Sequence, residues 1–233
     1  MKLNISDTWS FNKKVSDVFD QHVRDSIPLY DEFHKQTLKI SEFYLKENST
    51  VYDLGCSTGN FLFGLKNKKK VNLIGIDNSS SMIKIAKKKL TLTKNKNKNI
   101  KLLNDDLFKV KFKKDSSLFI CILLFPFLDH IKKIDLLKKI YSSLNDKGAV
   151  IILNKSRSKY SNFETYLNEL YYEFKLEKKI TPEDVIKKTK SLRSVHDIDT
   201  NDDEIKMYKS IGFKKVEIFF KILNFTGYLV QKC

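Results

Sequence analysis

Three carboxylates and two glycines in this chain are spaced as binding chemistry requires. Asp53 lies two residues before Gly55, and Gly59 follows four residues after that. Asp77 stands about twenty residues beyond Gly55, and Asp106 follows in a third acidic cluster, Asn104-Asp105-Asp106. Val51 to Leu54 is a short apolar run that stops at Gly55, and a helical pattern begins after Gly59. That order predicts a buried strand, a tight loop and a helix start. The loop is expected to turn its backbone N–H groups toward a ligand at the strand end. The full G-x-G-x-x-G of dinucleotide sites is missing, and Asp53 would repel a pyrophosphate. Asp77 is at the right distance to hold ribose hydroxyls. Asp106 is the candidate for an adenine amine, with Asp105 the competing choice. An acid beside the loop and an acid for the ribose suit a nucleoside that carries positive charge and no phosphate. S-adenosyl-L-methionine is such a ligand.

The elements that must position these residues follow from the apolar pattern. Val71–Ile76, Ile100–Leu103, Leu118–Leu124 and Ala149–Leu153 read as further strands, separated by helical stretches including Ile131–Leu144. Alternation of this kind predicts a parallel sheet with helices on both faces. Leu118–Leu124 has the continuous apolar character of a central strand. Asn145-Asp146-Lys147-Gly148 is expected as a turn with glycine at a helix end. Upstream, Trp9, Phe11, Val15, Val18 and Phe19 recur at helical spacing, and Asp31–Lys46 reads as a helix burying Phe33, Leu38, Phe43 and Tyr44. Downstream, Phe163–Leu176 is an aromatic-rich helix. Thr181-Pro182-Glu183-Asp184 is a strong start for another. These two are expected to cover the site as a helical lid. Asp202–Ser210 is a helix ended by Gly212. Val216–Phe220 and Leu223–Val230 are strands joined at Lys221-Ile222. The expected fold is α/β: a doubly wound, mostly parallel seven-stranded sheet in one domain, 1–233, with an N-terminal helical cap (1–48) and a helical insertion (155–200).

The chain has 233 residues and is 41% hydrophobic, enough for a core. No apolar run approaches the ~20 residues needed to cross a bilayer, and the N-terminus has no signal-peptide core, so a cytoplasmic protein is expected. Cys56, Cys121 and Cys233 form no disulfide framework or metal-ligand spacing. Cys121 is expected in the core, and Cys56 as a small loop residue. None of His22, His34, His130 and His196 pairs at metal-ligand spacing. His34 is expected on a helix surface and His130 near a helix cap. The charge of +16 comes from 44 Lys+Arg against 28 Asp+Glu. Arg24, Arg157 and Arg193 are its only arginines, although arginine supplies the bidentate contacts of dedicated RNA surfaces. Spread lysines with abundant asparagine fit compositional drift on solvated faces, and direct tRNA binding stays open.

Asp53-Leu54-Gly55-Cys56-Ser57-Thr58-Gly59 resembles motif I of the class I S-adenosylmethionine-dependent methyltransferases, a Rossmann-like fold, and Ile76-Asp77-Asn78-Ser79 resembles their second-strand motif. Ser57, Val18-Phe19-Asp20, Ser26-Ile27-Pro28-Leu29-Tyr30 and Leu223-Asn224-Phe225 narrow the resemblance to the carboxy-S-adenosylmethionine synthases, from about Phe11 to the C-terminus. The resemblance implies conversion of S-adenosylmethionine and prephenate to carboxy-S-adenosylmethionine and phenylpyruvate, without a metal. The product serves tRNA wobble-uridine modification by a partner enzyme. It also implies a homodimer. Tyr30, Gly55, Cys56, Ser57, Asp77, Asn78, Asp106 and Leu107 would surround the nucleoside. Two positions depart. Ile122 stands where the family has asparagine, and Thr189-Lys190 stands where a late helix carries the arginine that grips the transferred carboxylate. Lys190, Arg193 and Arg24 are the candidate replacements. Methyl transfer to a small molecule or tRNA is the second reading, and a catalytically degenerate S-adenosylmethionine-binding partner protein is the third.

Overall fold

The computed structural model describes residues 13–65, 70–92, 99–193 and 195–233, with side chains from Val18 onward. Trp9, Phe11, the Val15 side chain, Lys68-Lys69 and most of the Lys/Asn run at 94–99 lie outside the described residues or side chains. Two helices, α1 (Lys13–Ser26) and α2 (Tyr30–Glu42), precede β1 (Thr50–Leu54). The chain then alternates: α3 (Asn60–Gly64), β2 (Asn72–Asp77), α4 (Ser80–Leu92), β3 (Ile100–Asn104), β4 (Ser116–Ile122), α5 (His130–Ser143) and β5 (Leu144–Lys155). A 3₁₀ turn, Phe125–Phe127, leads into α5. Three helices follow, α6 (Ser161–Glu177), α7 (Pro182–Arg193) and α8 (Asn201–Ile211), and then β6 (Lys215–Ile222) and β7 (Phe225–Gln231).

The strands form one sheet in the order β3-β2-β1-β4-β5-β7-β6. The first five are parallel. β7 runs antiparallel to both β5 and β6, so it is an interior strand and β6 forms the edge. Strand order reverses between β1 and β4, which opens a crevice where their following loops diverge. The central strands are buried on both faces because helices cover both. Tyr52, Leu54, Phe119 and Cys121 pack with residues of α5 and α8. Val51, Leu73, Ile120 and Ile151 pack with residues of α3 and α4. Each such aliphatic side chain contributes about 1.5–3 kcal/mol by leaving water. A third cluster, with Val23, Phe33, Leu153, Tyr171 and Phe225, ties α1, α2 and α6 to the strand ends.

Four local expectations change. There is no glycine-closed turn at 145–148: β5 begins at Leu144, directly after α5, and the left-handed residue is Lys147 (φ 64°). The irregularity is absorbed by a register shift between Ser116 and Leu118 on β4. The last hairpin turns at Leu223-Asn224, because Lys221 and Ile222 pair with Thr226 and Phe225. Phe43 is 84% exposed, since α2 stops at Glu42 and turns it outward. His34 is only partly exposed: its Nε2 is buried without a hydrogen bond, and its ring packs edge-on to Phe61.

Candidate active site

A cavity of about 730 Å³ opens at the C-terminal edge of the sheet, between the loops after β1 and β4 and beneath α1, α6 and α7. Its acidic end begins at the glycine loop. Gly55 (φ 71°) takes a left-handed conformation that a side chain strains. Ser57 takes the same conformation (φ 50°) without being glycine. The loop does not cradle a ligand with its N–H groups as its sequence suggested. Gly55 and Cys56 donate to the Ile76 carbonyl at 2.8 and 3.0 Å, and Gly59 to the Cys56 carbonyl at 2.9 Å. Ser57 donates to Asp77 Oδ2 at 2.9 Å. Those donors are spent on the fold, and α3 is only five residues long. This end is therefore furnished with carboxylates in place of the donors that a phosphate needs.

Asp77 closes β2 at the cavity wall. Its second oxygen accepts from Ser79 N–H at 2.8 Å. A carboxylate offers about four acceptor positions, so about two remain for hydroxyls. Burial raises the Asp77 pKa against these two backbone bonds, which lower it. Asp53 is buried with no side-chain hydrogen bond or ion pair among the described residues, and burial plus the charge of Asp77 push it up to about 8. A cation beside it would reverse that shift. Asp106 lines the cavity and caps its own turn, accepting from Phe108 N–H at 2.9 Å, whereas Asp105 does not line it. Asn78, Leu107, Cys56 and Ile122 line it too, Ile122 as an aliphatic wall. Tyr30 enters from the start of α2, which left-handed Leu29 (φ 54°) aims inward. Gly59 (φ 80°) is not at the wall; it turns the chain into α3 with the Phe63 ring packed where a Cβ would go.

Helix α1 is fixed onto this loop by a side chain that spacing alone did not single out. Asp20 accepts from Thr58 Oγ1 at 2.5 Å and pairs with Lys89 of α4, which also donates to Asn60 Oδ1 at 2.8 Å. At the other end, Lys133 of α5 is buried, pairing with Asp199 at 2.7 Å and donating to the Asp197 carbonyl at 2.7 Å. That contact holds the segment bearing His196, whose ring stands edge-on to Phe127 at the cavity wall.

The far end of the cavity is cationic. Of the three proposed replacements for the family arginine, Arg193 lines it. Arg24 does not, being half-exposed and paired with Asp31 at 2.9 Å. Lys190 is exposed on the outer side of α7, since the helical turn that brings Thr189 inward carries its neighbour out. Lys155, Lys175, Lys188, His22, His196 and Arg157 line this end instead. No periodic signal marks them, because they come from different elements. His130 is exposed at the start of α5, where Asp129 is the cap, accepting from Lys132 N–H. Among the described residues no cluster of His, Cys, Asp and Glu has the geometry to hold a metal ion, and no helix is long and apolar enough to cross a membrane.

A family model described as a methyltransferase domain matches residues 51–148, from β1 to the start of β5. A carboxy-S-adenosyl-L-methionine synthase of Staphylococcus epidermidis is 35% identical over 227 residues, 96% of this chain and 97% of that protein. One of Sulfurimonas denitrificans is 33% identical, covering 98% of this chain and 96% of that protein. Among solved structures, a SAM-dependent methyltransferase from Aquifex aeolicus superposes with a TM-score of 0.63 at 16% identity, covering 96% of this chain and 100% of that one. At that identity the likeness establishes the fold.

Proposed function

The chain belongs to the carboxy-S-adenosyl-L-methionine synthase family, and from that premise we propose that it joins the carboxylate released by prephenate to the methyl carbon of S-adenosyl-L-methionine. One observation carries the reading: a single cavity is lined by acidic residues at the glycine loop and by aromatic and cationic residues under α6 and α7. S-adenosylmethionine supplies a methyl carbon acidified by its sulfonium. The donor set fits it. Asp77 keeps free acceptor positions that suit ribose hydroxyls, Asp106 at the cavity wall suits an amine, and unpartnered Asp53 suits a cation.

Prephenate loses its ring carboxylate and its ring hydroxyl, and its ring aromatises to leave phenylpyruvate. The carboxylate replaces one methyl hydrogen, and the displaced proton leaves with the hydroxide as water. The residues of this chain need only hold two ligands face to face and exclude solvent. Tyr171, Phe127 and Phe225 supply apolar walls for a ring. The product would then feed tRNA wobble-uridine modification. Exposed Phe163, Tyr166 and Leu170 on α6 support a homodimer.

The test is to incubate the protein with S-adenosylmethionine and prephenate and weigh the products. Carboxy-S-adenosylmethionine and phenylpyruvate in equal amounts are expected. Methyl transfer with S-adenosylhomocysteine as the only nucleoside product would replace this reading with plain methyl transfer, which the aliphatic Ile122 at the cavity wall favours. Ligand binding without turnover would leave a binding protein.

A further inference from the structure

The cationic end of the cavity is built around one ring. Lys155, at the end of β5, and Lys175, on α6, place their ammonium nitrogens 5.0 and 4.2 Å from the centroid of Tyr171. Tyr171 is itself fixed, donating its hydroxyl to the Ser26 carbonyl at 2.9 Å. Lys188 of α7 reaches the same corner, with its nitrogen 2.5 Å from His22 Nε2 and 3.1 Å from Ser26 Oγ. Lys155 and Lys175 form no ion pair among the described residues. Glu164, the acid that acts on Lys155, already accepts from Ser158 N–H at 2.7 Å and from Asn168 at 2.9 Å.

A face of tyrosine attracts a cation without neutralising it. Burial and the charge of Lys155 hold Lys175 down to about 7, and burial with the charges of Lys175 and Lys155 pulls Lys188 well below the ordinary lysine range. His22 and His196 are lowered too, by burial and then by these lysines. Lys155 and Lys175 thus bring two buried cations of one sign to a single ring without a carboxylate paired to either. A ligand with two negative charges removes the conflict. Phe127, Tyr172 and Phe225 beside them suit a ring between those charges.

We propose that Lys155, Lys175 and Lys188 form a subsite for a small ring-bearing dicarboxylate, and that this subsite, not Lys190 or Arg24, holds the carboxylate donor. Identifying the ligand as that donor rests on the function proposed above; the subsite itself does not. The experiment compares native protein with Lys155→Gln, Lys175→Gln and Lys175→Arg. It measures the KM for prephenate, the Kd for S-adenosylmethionine, and binding of isophthalate, a stable ring dicarboxylate, by calorimetry. Each Gln variant should raise the prephenate KM and weaken isophthalate by about tenfold or more, the loss of one charge-assisted contact. The S-adenosylmethionine Kd should hold, and Lys175→Arg should recover most of the loss. Lys175→Met should raise Tm, because it removes a buried charge; a merely structural lysine would lower it.

Unchanged prephenate KM in both Gln variants, with carboxy-S-adenosylmethionine still formed, overturns the subsite and leaves the function standing. Isophthalate binding that is absent, or equal in native and variant proteins, also overturns it. Lysine-dependent isophthalate binding by a protein that makes no carboxy-S-adenosylmethionine supports the subsite and overturns the function. Should Lys175→Gln not fold, Lys155→Gln and Lys175→Arg carry the same comparison.

Discussion

Asp53 is a carboxyl in a place that disfavours its charge: burial and the charge of Asp77 act on it, and Tyr30, Cys56 and Cys121 feel it in turn. Its pKa of about 8 gives two signs to test. A bound cation favours the ionised form, so ligand binding expels a proton and strengthens as pH rises through about 8. Measured from acid to mild alkali, the S-adenosylmethionine Kd should fall in native protein and respond less in Asp53→Asn; the ligand's own amine titrates alike in both. Because the folded pKa lies above the unfolded one, this group's contribution to stability is full below about 4 and is lost as pH climbs to about 8. The same contrast in urea midpoints should appear without ligand. Ser57 offers a second residue-scale test. Its left-handed φ of 50° costs about 1 kcal/mol in a side-chain-bearing residue, so Ser57→Gly should raise unfolding free energy by up to that amount.

Two helices are held in place by single buried or half-buried charges, and each can be released separately. Asp20 joins α1 to Thr58 of the glycine loop and to Lys89 of α4. Asp20→Ala should speed amide exchange in α1 and weaken S-adenosylmethionine binding while β1 and β4 stay protected, because the core clusters of the sheet do not depend on it. Lys133 joins α5 to the segment before α8. Asp199→Ala leaves its ammonium with the Asp197 carbonyl at 2.7 Å and the Asp197 carboxylate at 3.6 Å, so the loss in chemical denaturation should stay below the ~3 kcal/mol of a buried charge left unpaired. The non-glycine residues in left-handed conformation at the site, Leu29, Ser57 and Leu123, sit where elements meet the cavity, as strain held in place by the surrounding packing. No helix or strand pattern marks them in the sequence.

Across the molecule, the charge of +16 is carried by scattered lysine rather than by a concentrated arginine surface. tRNA affinity should therefore fall steeply with salt and be lost at physiological ionic strength; retention there would reveal a built surface. The alternation of apolar runs was enough to predict the doubly wound sheet, because two-sided burial leaves continuous hydrophobic strands. The Asp53–Gly55 spacing and the distance to Asp77 likewise marked the acidic end of the cavity, since strand, loop and helix are local and consecutive. The direction of the loop's N–H groups was not local. It depends on Ile76 and Asp77 of the neighbouring strand, which capture those donors. The cationic end was less legible still. Lys155, Lys175 and Lys188 look like three of many solvated lysines until β5, α6 and α7 converge on Tyr171. Sequence determined which segments bury and where a strand meets its loop. Only the tertiary structure decided which lysines lost their water, because desolvation is set by what packs around a charge and not by the residues beside it in the chain.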